Sequence, residues 1–337
     1  MDAPVDPSEV EFDVVGIGNA LVDVLSHESE EFVDALGVVK GSMTLVDEAR
    51  SGEIYAMTGP AVEISGGSAA NTIVGIAAMG GRAEYVGKVR DDQLGTVFAH
   101  DIRAMGVTYE VEPASGGPAT GSCLILVTPD AQRTMNTCLG ASVHLGPDDV
   151  ERSHIERASV LYLEGYLFDP PEAQEAFRVA AGYAHEAGRI VSATLSDSFC
   201  VERHHGAFRD LVSNHVDLVF ANEAEILALY GTEDFDVAVS RVRDDVRFAA
   251  LTRSEKGSVV IGNGEVIEVP AAPVEDLVDT TGAGDLYASG FLHGFSRGAD
   301  LEACGWLGSR AASEVISHLG ARPEADMAAM ATEVLSR

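Results

Sequence analysis

Residues Asp279-Thr280-Thr281-Gly282-Ala283-Gly284-Asp285 combine a small-residue turn with two carboxylates, and an amphipathic run follows directly. Gly282, Ala283 and Gly284 have almost no side chain, so their backbone N–H groups can approach an anion closely. At a helix N-terminus such groups lack helical acceptors, and the helix dipole favours negative charge. A carboxylate inside an anion cradle repels the anion unless it has chemistry to do. Asp285 suits a general base that takes a proton from a hydroxyl as the oxygen attacks a phosphate held by the glycines.

Other residues could serve the same chemistry. Asp23 follows the strand-like run Phe12–Ile17 and is expected where that strand ends, the side of an open α/β sheet that carries ligands. An ionised Asp accepts two hydrogen bonds, which suits vicinal hydroxyls. Gly66 and Gly67 let backbone approach a ring, and Asn71 both donates and accepts. Ser68 is expected to cap the helix that follows. Asn222 and Glu225, three apart where a helix opens, share a face and can orient magnesium-bound water around phosphates.

These residues need a scaffold. Strand-like runs at Phe12–Ile17, 84–89, 160–163, 190–195, 218–221 and Phe248–Thr252 alternate with helical patterns at 69–79, 171–187, Glu223–Tyr230 and 236–244. That alternation predicts parallel strands joined by crossover helices. Helices are also predicted at 285–297, 301–318 and 324–335. Two regions break the pattern. One carries strand-like runs at 38–46 and 62–65. The other carries 122–128 and 133–138, joined by Pro129-Asp130-Ala131-Gln132 and read as a β-hairpin.

The bulk properties exclude several functions. The 337 residues suffice for one large α/β domain with a small appendage. A formal charge of −32 argues against nucleic acid or anionic membranes as partners. Lysine occurs only at 40, 88 and 256, which fits either a salt-rich cytoplasm or an arginine-biased genome. Cys123, Cys138, Cys200 and Cys304 are scattered, suggesting neither a disulfide framework nor zinc. Residues 1–7 are acidic and unlike a secretory leader, and no apolar run is long enough to span a membrane. A cytoplasmic protein, monomer or homodimer, is expected.

The 279–285 run resembles the C-terminal signature of the ribokinase, or PfkB-type carbohydrate kinase, family. Gly16-Ile17-Gly18-Asn19-Ala20-Leu21-Val22-Asp23, Ser65-Gly66-Gly67-Ser68-Ala69-Ala70-Asn71-Thr72 and Asn222-Glu223-Ala224-Glu225 are similar to further family segments, in the family's order. The resemblance implies a ribokinase-like doubly wound, mostly parallel sheet flanked by helices, with a small β lid. It implies one kinase domain over residues 10–337, the lid inserted from about 24–64 and 107–140. It also implies phosphoryl transfer from ATP with magnesium. Asp285 would be catalytic beside Gly282, Ala283 and Gly284. Asn19, Leu21, Asp23, Gly66, Gly67, Asn71 and Arg133 would meet the acceptor. Asn222, Glu225, Thr252, Gly257, Gly282 and Gly284 would meet ATP, Glu225 through magnesium-bound water. Asp279, Thr281 and the turn at Gly320 resemble a potassium site. Two segments depart from the family: Ser254 replaces a glycine in the Thr252–Gly257 loop, and Arg90 stands where many members have glycine.

Within the family the chain is most similar to the adenosine-kinase branch, through Leu21 before Asp23, Pro118-Ala119-Thr120-Gly121, residues 133–141 and Leu195-Ser196-Asp197-Ser198-Phe199. Leu21, Leu45, Leu139 and Leu167 could sandwich a purine or simply pack the core and lid. The expected reaction phosphorylates the 5′-hydroxyl of a ribonucleoside, adenosine first. The alternatives are a kinase for ribose, fructose or a keto-deoxy sugar acid, and a nucleotide sensor without catalysis.

Overall fold

A computed structural model describes residues 10–130 and 132–336. The leader reading of residues 1–7 and Ala131 of the hairpin turn lie outside the described residues. The main sheet is built from β1 (Phe12–Ile17), β5 (Ala83–Val86), β8 (Ala158–Glu164), β9 (Ile190–Thr194), β10 (Leu218–Asn222), β11 (Phe248–Thr252), β12 (Ser258–Gly262) and β13 (Glu265–Val269). The smaller sheet takes β2 (Leu21–His27), β3 (Met43–Leu45), β4 (Ala61–Gly66), β6 (Gly121–Val127) and β7 (Arg133–Cys138).

The main sheet has the order β13-β12-β11-β10-β9-β8-β1-β5. Pairing is parallel from β5 to β11 and antiparallel from β11 through β12 to β13. Helices cover both faces, so β1 and β8 are buried along their whole length. Alternation divides the core: Val15, Ile17, Leu161 and Leu163 pack on one side, Val14, Val160 and Tyr162 on the other. All the parallel strands point their C-terminal ends the same way, which gathers the residues that follow them at one edge.

The smaller sheet, in the order β3-β7-β6-β2-β4, stands over that edge. One face packs Val22, Val24, Leu124 and Leu126 into the core with Val33, Ile54 and Phe98. The other face turns Leu21, Asp23, Leu25, Cys123 and Ile125 toward a cavity. Asp23 therefore lies within β2, paired between Ile64 and Cys123, and not at the end of β1. Between 38 and 46 only Met43–Leu45 is strand, and helices Glu30–Leu36 and Glu48–Met57 occupy flanking sequence. The helix expected over 301–318 ends at Val315, and that expected over 324–335 starts at Met327.

Helices Ala283–Phe295 and Leu301–Val315 cross at glycines. A methyl group at Gly290 would lie 2.7 Å from the Leu307 carbonyl oxygen, and one at Gly308 would lie 2.7 Å from that of Tyr287. Gly290→Ala should thus cost about 1–3 kcal/mol, the usual cost of overpacking. Gly52→Ala, in a helix with open space at that position, should be neutral or stabilising. Thermal melts of both variants check this, and equal Tm values would contradict the packing assignment.

Candidate active site

The cavity between the strand ends and the smaller sheet has a volume of about 870 Å³. Helix Ala283–Phe295 opens into it. Its N-cap Gly282 holds φ at 80°, a left-handed turn that most side chains resist. The N–H groups of this first turn have no helical acceptors and face the cavity as a cradle. Ala283, Gly284 and Asp285 line it as well.

Asp285 is met by a second helix, Ser68–Ala78. Ser68 Oγ donates to Asp285 Oδ1 at 2.6 Å, and Asn71 Nδ2 donates to Oδ2 at 2.9 Å. Ser68 thus binds Asp285 and makes no side-chain cap of its own helix, whose N-cap is Gly67. Burial pushes the Asp285 carboxyl above the usual aspartate range, while Ser68, Asn71 and the Arg322 charge pull it down. Gly67 reaches φ 102°, where a methyl group would lie 2.2 Å from the Asn19 carbonyl oxygen. Gly66 does not line the cavity but lies under Asp23, leaving no room there for a larger residue.

Asn19, Leu21, Asp23, Asn71, Arg133 and Leu139 all reach the cavity. Burial raises the Asp23 carboxyl to about 6, with Arg322 and Arg133 opposing and Asp285 adding to the rise. Leu167 is elsewhere. It is fully buried in the core beside Phe168 and Phe177, because the short helix after β8 turns it inward. That is the packing fate rather than the purine contact.

Asn222, Glu225 and Thr252 come together at the ends of β10 and β11. Asn222 caps helix Glu223–Tyr230 by accepting from Glu225 N–H at 2.9 Å, and its own N–H donates to Glu225 Oε2 at 2.9 Å. Glu225 is 5% exposed, and no lysine or arginine pairs with its carboxylate among the described residues. Burial raises it to about 7, the Asn222 N–H opposing and Asp197 adding. A desolvated, cation-free carboxylate at the cavity wall fits hydrated magnesium. Gly257 falls outside the cavity: it packs on residues 269–271 and turns the chain into β12.

Asp279 carries other partners. Its Oδ2 accepts from Arg133 and from Gly320 N–H at 3.1 Å, and Oδ1 accepts from Thr281 N–H at 3.0 Å. The Arg133 guanidinium supplies the positive charge that potassium would bring, so these residues do not fit a potassium site in this arrangement. Arg133 in turn ties the smaller sheet to the cradle, both side chains being under 10% exposed.

Among the lining residues that the sequence did not single out, four bear on the chemistry. Glu164, at the end of β8, accepts from Asn19 N–H at 3.2 Å, Asn19 Nδ2 at 2.7 Å and Ala69 N–H at 2.7 Å. A carboxylate closing an apolar strand is a readable signal for it. Ser68 lay inside the quoted glycine segment. Phe199 is 74% exposed at the cavity wall, and Arg322 comes from the loop before the last helix. Nothing local in sequence marks Arg322.

Residues 44–327 match the pfkB family carbohydrate kinase pattern. The chain belongs to this family. It is a phosphotransferase with an alcohol group as acceptor, and the family in general uses ATP and magnesium. An adenosine kinase from Sinorhizobium meliloti is 50% identical, with a TM-score of 0.87 over 96% of this chain and 99% of that one. A probable sugar kinase from Rhizobium etli is 48% identical, with the same TM-score over 96% of this chain and 98% of its own. A cytidine kinase from Thermococcus kodakarensis is 38% identical over 138 residues, 40% of this chain and 49% of the cytidine kinase. No helix among the described residues is long and apolar enough to cross a membrane.

Leu167→Ala should destabilise the fold by about 2–5 kcal/mol through the cavity it leaves, without altering acceptor preference. Denaturant melts and kcat/KM ratios for two acceptors check this. A changed ratio with an unchanged melt would return Leu167 to the acceptor site.

Proposed function

We propose that this kinase transfers the terminal phosphate of ATP to the primary hydroxyl of a ribonucleoside, adenosine first. One observation carries the reading: Asp285 and the glycine cradle share a single cavity with the apolar side chains of Leu21, Leu45, Leu139 and the exposed Phe199. An aromatic ring left 74% exposed at a cavity wall is a ready stacking surface for a base. The likeness to an adenosine kinase at 50% identity supports the same acceptor.

In this reading Asp23 and Asn71 hold the ribose, and Asn19 is fixed beside them by Glu164. Asp285 accepts the proton of the primary hydroxyl as its oxygen bonds to the terminal phosphorus, and the bond to the leaving ADP oxygen breaks. The cradle N–H groups carry the charge on the moving phosphoryl group. Magnesium, when bound with ATP, neutralises phosphate charge, and Glu225 would hold it through water. Arg133, near the cradle, is a further contact for the acceptor or the transferred phosphate. We take residues 10–337 as one kinase unit whose segments 24–64 and 107–140 form a lid that keeps water from the phosphate.

A sugar acceptor is the second reading. It draws on the polar floor of Asn19, Asp23, Asn71 and Glu164, which suits ring hydroxyls without any base, and on the likeness to a probable sugar kinase. Buried apolar area is worth roughly 25 cal/mol per Å², so even partial burial of a purine is worth orders of magnitude in kcat/KM. Adenosine should therefore exceed ribose and fructose by that margin in an ADP-release assay. Equal rates would favour the sugar reading.

Asp285→Asn should keep nucleotide binding and lose about 10²–10⁴-fold in kcat. In the parent enzyme the base must be ionised, so kcat should fall as pH drops through the raised Asp285 range. Acceptor KM should rise as pH drops through about 6, where Asp23 takes up a proton. Near-normal kcat in the variant would remove Asp285 from the chemistry.

A further inference from the structure

The loop at residues 319–323 touches both halves of the cavity. Gly320 N–H donates to Asp279 beside the cradle, and Ala321 packs against Gly282, where an added methyl group would come within 2.7 Å of it. The next residue, Arg322, reaches across to the acceptor loop. Its Nη1 donates to the Ala70 carbonyl at 3.1 Å, and its Nη2 donates to the Ser65 carbonyl and, at 3.0 Å, to Ser65 Oγ. Ser65 is held from behind: its N–H and hydroxyl both donate to Asp101 Oδ2, at 2.7 and 2.6 Å. The two Arg322 contacts thus bracket Gly66 and Gly67, the turn that carries Ser68 and Asn71 to Asp285.

We infer that Arg322 is a positioning residue for phosphoryl transfer, clamping the acceptor loop to the glycine cradle and supplying the positive charge that Asp23 and Asp285 share. This rests on the kinase reading above. The guanidinium is enclosed among Asp23, Asp101 and Asp285 and lines the cavity. The charged and titratable groups facing Asp285 are Arg322 from this loop, Asp23 from β2, Tyr162 and Glu164 from β8, and Tyr166 just after it. Arg322 is the one cation among them, and Ser68 and Asn71 are neutral donors. Its charge pulls both the Asp285 and Asp23 carboxyls down against burial. Without it, Asp285 would hold its proton to higher pH and be a base over a narrower range.

The test compares Arg322→Lys, which keeps the charge, with Arg322→Gln, which keeps donors only, and Arg322→Met, which keeps neither. Each is made in the full chain beside the parent and Asp285→Asn. In Arg322→Gln the acidic limb of the kcat–pH profile should move to higher pH, and in Arg322→Lys it should return toward the parent. Arg322→Met should raise acceptor KM by about ten- to a hundredfold, as expected for a lost charge-assisted hydrogen bond, and leave ATP KM near the parent value. A parent-like profile in Arg322→Gln, or Arg322→Lys behaving like Arg322→Gln, overturns the inference while the Asp285 result stands. Should the parent transfer no phosphate to any acceptor, or Asp285→Asn retain turnover, the kinase reading fails first. Carboxyl ¹³C NMR titration of Asp285, assigned with Asp285→Asn, then decides for Arg322: an upward move in Arg322→Gln sustains the shared charge, and no move ends it.

Discussion

The site is organised by the cost of burying one carboxylate. Asp285 enters a cavity between two helix N-termini, and an isolated ionised carboxylate there would be expensive. Ser68 and Asn71 offset that cost with a hydrogen bond to each oxygen. Both helices, Ser68–Ala78 and Ala283–Phe295, also point their positive dipole ends toward it. The same contacts dictate geometry. Because Ser68 and Asn71 follow the Gly66–Gly67 turn, the acceptor loop is placed with respect to the cradle by the carboxylate between them. Asp285 joins the two halves of the site and, in the proposed function, is also the base between them.

Charge is distributed around this constraint against the trend of the whole chain. The sequence carries −32, yet three arginines, Arg133, Arg203 and Arg322, line the cavity. Arg133 binds Asp279 and Arg322 lies by Asp23 and Asp285, so the carboxylates nearest the cradle are partly neutralised. At the Asn222–Glu225 corner Arg253 and Lys256 pair with Glu223, while no lysine or arginine pairs with Glu225 among the described residues, the carboxylate that the proposed function assigns to magnesium. A polyanionic nucleotide thus enters an acidic protein where the local field differs from the global one.

Much of this was legible in the chain because its signals are local. The strand–helix alternation gave a mostly parallel sheet, since period and length set each element. The 133–138 strand matched to the residue, its alternating pattern being bounded by clear turn residues. β2 went unread because Leu21–His27 follows β1 after only three residues, so the two strands merge into one apolar stretch. That merger also misplaced Asp23. The β12–β13 hairpin was missed although Asn263-Gly264 joins it with both φ angles positive, the strongest short hairpin signal. Leu167 and Arg322 show the remaining limit. A leucine's choice between core and cavity, and an arginine's partners 250 residues away, are set by tertiary packing that no window of sequence contains.

In the proposed function, one cavity brings an acceptor's primary hydroxyl to Asp285 with the phosphate on the glycine cradle. A crystal structure with adenosine and a non-hydrolysable ATP analogue measures this directly. The 5′-oxygen should lie about 2.6–3.2 Å from an Asp285 carboxylate oxygen, with the terminal phosphate against the N–H groups of residues 282–285. The purine should lie between Phe199 and the leucines of the smaller sheet. Adenosine bound with its 5′-oxygen out of reach of Asp285, or the phosphate seated away from the cradle, would contradict it.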